Sequence, residues 1–227
     1  MENLSKHIEN ILKLAFKKVQ YAYNNHKEGE NKDNKHDDNK HFSRLVFPSY
    51  SNNETRISEQ ELRFAFVEAF NEYCNKCNEK GDDCNLLYSI ETPTKEKYSG
   101  FSKTKENPNP NPRVDENGRS GEFDMVIFNK ELKRICLIEF KANNASDLDH
   151  RKDFVKLNND KEGDKKVLRY FVEIIGPCKD NTIDSIKDKI KERGGTKFVC
   201  YSLEKKGIIL EKPEAGLSLS NDHSSHF

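Results

Sequence analysis

The chain has 227 residues, 39 basic against 39 acidic, with 34% charged and 33% hydrophobic residues and a mean hydropathy of −0.96. That length suits one domain with appendages, or at most two small domains, and a core forms only where the scarce apolar residues are concentrated. No apolar run is long enough for a transmembrane helix, and the start MENLSKHIEN lacks the charged-then-apolar layout of a signal peptide, so a cytoplasmic protein with no membrane contact is expected.

Leu4, Ile8, Ile11, Leu12, Ala15, Phe16, Val19 and Tyr23 recur at helical spacing, opposite Lys6, Lys13, Lys17 and Lys18, and predict an amphipathic helix over 1–23. Residues 24–55 begin with NNHKEGENKDNKHDDNKHF and read as a polar linker, in which His26, His36 and His41 titrate rather than bind metal. Ser58-Glu59-Gln60-Glu61 is a capping box, and Leu62, Phe66, Ala69, Phe70 and Tyr73 form the buried face of the helix that it opens. A strand is expected at 85–92, followed by a Pro/Asn/Lys-rich loop. Next come a hairpin (122–128 and 134–141), a short helix (147–158), a strand (167–175), a helix (182–193) and a strand (196–203). Two segments complete this division of the chain, an α/β domain over 56–212 and a flexible tail over 213–227.

Cys74, Cys77 and Cys84 approach metal-ligand spacing, but a closed zinc site needs a fourth ligand and no histidine lies between His41 and His150. With Cys74 on the buried stripe, they read as reduced core thiols. Cys136, Cys178 and Cys200, in or beside strands, read as small core residues. No Walker loop, dinucleotide fingerprint, HExxH or nucleophile elbow is present, so nucleotide hydrolysis and zinc proteolysis have no support.

The hairpin is the informative part. With the turn centred between Glu131 and Leu132, Phe128 faces Ile135, Val126 faces Leu137 and Asp124 faces Glu139. Lys141 emerges on the face of Glu139, one step along. Both faces are otherwise apolar, which places the hairpin mid-sheet between two layers of helices. Opposed carboxylates there repel, and a divalent cation removes the conflict. Asp and Glu oxygens are hard ligands for Mg²⁺, with Mn²⁺ as a substitute. A neighbouring lysine orients or helps to deprotonate a water, or neutralises transition-state charge. The bland alternative is a solvated strand end with an ordinary Glu139–Lys141 ion pair.

These residues resemble the PD-(D/E)XK nuclease superfamily. The match lies in GEFDMVIF, a hairpin and CLIEFKA, preceded by a helix with a glutamate in its first turn. Phe123 stands where the family motif has proline. The resemblance implies a three-layer α/β/α restriction-endonuclease-like core with a mixed central sheet. It also implies a metal-dependent deoxyribonuclease in which Asp124 and Glu139 bind Mg²⁺ and Lys141 assists the attacking water. The family's helix glutamate corresponds to Glu59 or Glu61. Glu59 is preferred as catalytic and metal-binding, since Glu61 already serves the cap, and Glu68 is a weaker third. Phosphate contacts are expected from Lys103, Lys105, Arg113 and Arg119 before the hairpin, and from Arg151, Lys152 and Lys156 after it. DNA is the expected partner, RNA stays open, and double-strand cutting would favour a homodimer. The alternative function is a catalytically inactive nuclease-like protein that binds nucleic acid or a partner protein.

Overall fold

A computed structural model describes residues 2–27, 43–52, 54–81, 84–105, 107–163, 166–177 and 180–213. His36, His41, Cys178 and the tail beyond 213 fall outside these residues, as does the His26 side chain.

Four helices and seven strands follow in the order α1 (Glu2–Lys27), α2 (Glu59–Glu79), β1 (Leu87–Ser99), β2 (Arg113–Val114), β3 (Arg119–Phe128), β4 (Arg134–Ala142), α3 (Asp147–Leu157), β5 (Leu168–Ile175), α4 (Asp180–Lys189), β6 (Lys197–Ser202) and β7 (Gly207–Lys212). They form an α/β domain around one mixed sheet of order β2-β1-β3-β4-β5-β6-β7. β3 runs antiparallel to β1 and β4, β5 is parallel to β4 and β6, and β7 closes the edge antiparallel to β6.

Two apolar clusters lie on opposite faces of the sheet. One joins α1 and α2 to Met125, Ile127, Ile138, Phe140, Tyr170 and Val172. The other joins α3 and α4 to Val126, Leu137, Phe171 and Phe198. All eight residues of β5 are buried, as a central strand covered on both faces requires. The helical stripe of α1 is buried from Ile8 to Tyr23, with Phe16 stacked on Tyr201 of β6 at 4.6 Å. Lys18, placed by the sequence pattern on the polar side, is instead buried 2.9 Å from Glu72 of α2. Phe47, within the expected linker, and Ile57, just after it, are buried too.

The hairpin register holds for Met125–Ile138, Val126–Leu137 and Ile127–Cys136, then slips so that Phe128 pairs with Arg134 rather than Ile135. β1 runs seven residues beyond its expected end, taking Pro93–Ser99 from the anticipated loop. Its ladder with β3 shifts between Pro93 and Lys97, which frees the backbone N–H groups of Lys95 and Glu96. These donate instead to the two carboxylate oxygens of Glu162, at 2.8 and 3.0 Å. Glu162 is fully buried and also accepts from the Tyr98 hydroxyl and Arg134. That carboxylate explains how a bulged, proline-containing strand continues. β7 was not anticipated from the sequence. It follows a turn in which Lys206 takes φ +53°.

Candidate active site

Asp124 near the middle of β3 lies beside buried Glu139 and Lys141 of β4, although the ladder pairs run from Met125–Ile138 and do not include the expected Asp124–Glu139 pair. The Phe140 N–H donates to Asp124 Oδ2 at 2.7 Å, which fixes Asp124 beside the Glu139–Lys141 step. The alternation of β3 breaks here. Phe123 packs with the α3 side and Met125 with the α2 side, where strict alternation would put them together. Across from Asp124, Glu91 of β1 has φ +49° and falls out of the ladder between Ile90 and Thr92. A non-glycine residue in this region carries about 1–2 kcal/mol of backbone strain.

Each carboxylate meets a cation from a flanking helix. Buried Arg63 of α2 donates to Asp124 Oδ1 at 2.5 Å and to Glu91 at 3.0 Å. Lys156 of α3 sits 2.5 Å from Glu139 Oε1 and 2.9 Å from Asp153 Oδ1, and donates to the Glu122 carbonyl at 2.7 Å. Lys141 reaches Asp153 Oδ2 at 2.8 Å and lies 3.7 Å from Glu59, while donating to its neighbour Phe140's carbonyl. Glu61, the alternative to Glu59, accepts from the Ser58 N–H at 3.1 Å and from Arg56 at 3.0 Å, as a cap should.

Burial pushes the Glu139 carboxyl well above its ordinary value, and Asp153 adds to this against the pull of Lys156. Burial likewise raises Glu59, opposed by Lys141 and reinforced by Asp124 and Asp153. Burial alone would lower Lys141, yet the carboxylates of Asp153, Glu139, Asp124 and Glu59 outweigh it and raise its pKa. Lys141 is therefore held as an ammonium, suited to stabilising charge rather than to removing a proton from water.

Asp124 and Glu139 offer the hard oxygen donors that suit Mg²⁺, which commonly takes one or two carboxylates and keeps waters. Among the described residues, the carboxylates of Asp124, Glu139 and Glu59 do not all come within 4.8 Å of one another. The three therefore do not form a ready three-ligand cluster, and Arg63 and Lys156 already contact oxygens of Asp124 and Glu139.

Lys103, Lys105, Arg113 and Arg119 are exposed along the segment before the hairpin, and Arg113 is 3.6 Å from Asp115. Arg151 and Lys152 pair within α3 with Asp147 and Asp149, at 2.9 and 2.7 Å. Lys156, expected beside them as a phosphate contact, is turned into the core. A cleft between the Asn111–Pro112 segment and α3 is lined by Arg151, Phe154 and Asn158, away from Asp124 and Glu139. Sequence reasoning missed Arg63 and Asp153, and assigned Lys156 to the surface. The available signal was Asp153 and Lys156 lying beside Phe154 and Leu157 on the inward stripe of α3.

No protein-family model matches the chain, and no curated protein matches it significantly. Among the described residues no helix is long and apolar enough to cross a membrane.

Proposed function

We propose that the chain is a Mg²⁺-dependent DNA endonuclease with a restriction-endonuclease-like core. The observation that carries this reading is the buried Glu139 carboxyl, with Asp124 fixed beside it and Lys141 one step along on the same strand. The order α2-β1-β2-β3-β4-α3-β5, with β2 a two-residue edge strand and β5 parallel to β4, supports it as the arrangement that the resemblance implies.

Mg²⁺ at this site would supply Lewis-acid polarisation of the scissile phosphate and of the attacking water. Asp124 and Glu139 are the residues to hold it, and the Phe140 N–H orients the Asp124 carboxylate toward that task. Lys141, kept protonated, places positive charge where the phosphorane-like transition state accumulates negative charge. Asp153 positions Lys141 and Lys156 together. Lys103, Lys105, Arg113 and Arg119 are available to backbone phosphates, and binding through them weakens steeply with salt.

A second reading, a nuclease-like protein that binds without cutting, draws on one observation. Arg63 and Lys156 already neutralise Asp124 and Glu139 from within the chain. Plasmid nicking with Mg²⁺ or Mn²⁺ separates the two readings, using wild type, Lys141→Ala and Glu139→Gln. Cleavage by wild type alone supports the enzyme. Folded wild-type protein that cuts neither DNA nor RNA, yet shifts DNA in a gel, establishes the second reading instead.

A further inference from the structure

A second constellation lies at the contact between α1 and α2 and uses none of the candidate active-site residues. His7 of α1, Cys77 in the last turn of α2 and Cys84 in the segment leading to β1 each place a ligand atom within 4.8 Å of the others. Cys74, one helical turn before Cys77, brings its Sγ to 3.1 Å from the Cys84 Sγ. The three thiols are buried and none is in a disulfide, while His7 is half-buried. The imidazole Nδ1 lies 2.8 Å from the Tyr73 hydroxyl, which also contacts Cys77, with the two rings edge to face at 5.6 Å. A hydrogen bond at one ring nitrogen fixes the tautomer and orientation with which the other can meet a metal.

We infer that His7, Cys74, Cys77 and Cys84 form a structural Zn²⁺ site that ties α1, α2 and the approach to β1 together. Three thiolates and an imidazole are a soft donor set that selects zinc over Mg²⁺, so this site does not compete with Asp124 and Glu139 for the same ion. Tetrahedral Zn–S bonds of about 2.3 Å put neighbouring sulfurs about 3.8 Å apart. Cys74 and Cys84 reach that separation from 3.1 Å by small side-chain rotations. The chain supplies all four ligands, which leaves no open position for substrate and makes the role structural. Each coordinating sulfur releases its proton to solvent on binding, so affinity falls in acid.

The spacing rule missed the fourth ligand because His7 lies far from the cysteines in sequence. It reaches them only because α1 packs along α2.

The test uses the full chain purified without chelator. Elemental analysis is expected to find about one zinc per chain. Protein stripped of metal and titrated with Co²⁺ is expected to show the ligand-field and charge-transfer absorption of tetrahedral thiolate cobalt, which added Zn²⁺ abolishes. Zn²⁺, but not Mg²⁺, restores the thermal midpoint lost on stripping and protects three of the six cysteines from a thiol reagent. Cys77→Ser and His7→Ala weaken zinc binding, Tyr73→Phe weakens it by about tenfold, and Glu139→Gln leaves it unchanged. If the ligand variants do not fold, the cobalt and thiol-protection measurements on wild type decide the matter. Folded wild type that neither carries zinc nor gives the cobalt spectrum overturns the inference. A Cys74–Cys84 disulfide in protein prepared without oxidant also overturns it.

Discussion

Lys156 sets its ammonium 2.5 Å from the Glu139 carboxylate, with the two residues only 5% and 2% exposed. The helix therefore delivers a cation to the strand inside the core, and Asp153 holds that cation from the same helix at 2.9 Å. Two charges out of water are tolerated because each has a partner. Removing one strands the other.

Lys156→Met is accordingly expected to destabilise the fold by about 3–5 kcal/mol, the usual cost of leaving a buried charge unpaired. Adding Glu139→Gln to that variant should return part of the loss, because the amide needs no counter-ion. Urea unfolding of the two variants and of wild type measures both effects. Equal midpoints for the single and double variants would show that the two side chains are not coupled.

Loss of charge at Lys141 should act on chemistry more than on binding. Lys141→Met is expected to lower single-turnover DNA cleavage by about 10²–10³-fold, the range for removing one transition-state donor. Glu59 is half-exposed and 3.7 Å from Lys141, so Glu59→Gln should cost no more than about tenfold. Reversal of this ranking in initial rates would move the essential carboxylate to α2.

The β3–β4 turn contains an independent, non-catalytic test. Leu132 is 70% exposed and sits at φ +57°, a conformation that costs a leucine about 1–2 kcal/mol. Leu132→Gly removes that strain and adds back about 0.5–1 kcal/mol of unfolded-chain entropy. A net gain of about 0.5 kcal/mol is expected from chemical denaturation, with cleavage unaffected.

Acid should loosen the attachment of α1. Partial burial would raise the Glu9 carboxyl, but Lys197 outweighs this and holds it below its ordinary 4.5. Glu72 behaves alike, with Lys76 and Lys18 overcoming its desolvation. Groups depressed in the folded state stabilise it above 4.5 and lose that contribution as the pH falls through their folded values. Wild type should therefore lose more of its thermal midpoint between about pH 5 and about pH 3 than the Glu9→Gln/Glu72→Gln double variant. The difference is modest because solvent screens both carboxylates. Parallel curves for the two proteins would remove these pairs from the account.

Sheet, hairpin register and helical stripes were legible because each is written in local periodicity. Val126 opposite Leu137 needs only alternation and a turn position. The capping role of Glu61 needs only three residues of spacing. What could not be read were partners brought together by packing of distant segments, such as Arg63 with Asp124, Lys156 with Glu139 and His7 with Cys77. The extension of β1 was hidden for the same reason. The carboxylate that satisfies its bulge is Glu162, 66 residues beyond Glu96.

Glu162 accepts from two strand amides, a tyrosine hydroxyl and a guanidinium, so it acts as a stand-in strand for the outer part of β1. The Lys95 and Glu96 amides should exchange with deuterium as slowly as ladder amides, although no strand residue accepts from them. Beyond them β1 rejoins the ladder with β3 at Lys97–Ser120 and Tyr98–Arg119, so Glu162 spans the gap between two paired stretches. Changes in chain length or sequence distal to Tyr98 can then accumulate without disturbing the register of the strands that hold Asp124 and Glu139.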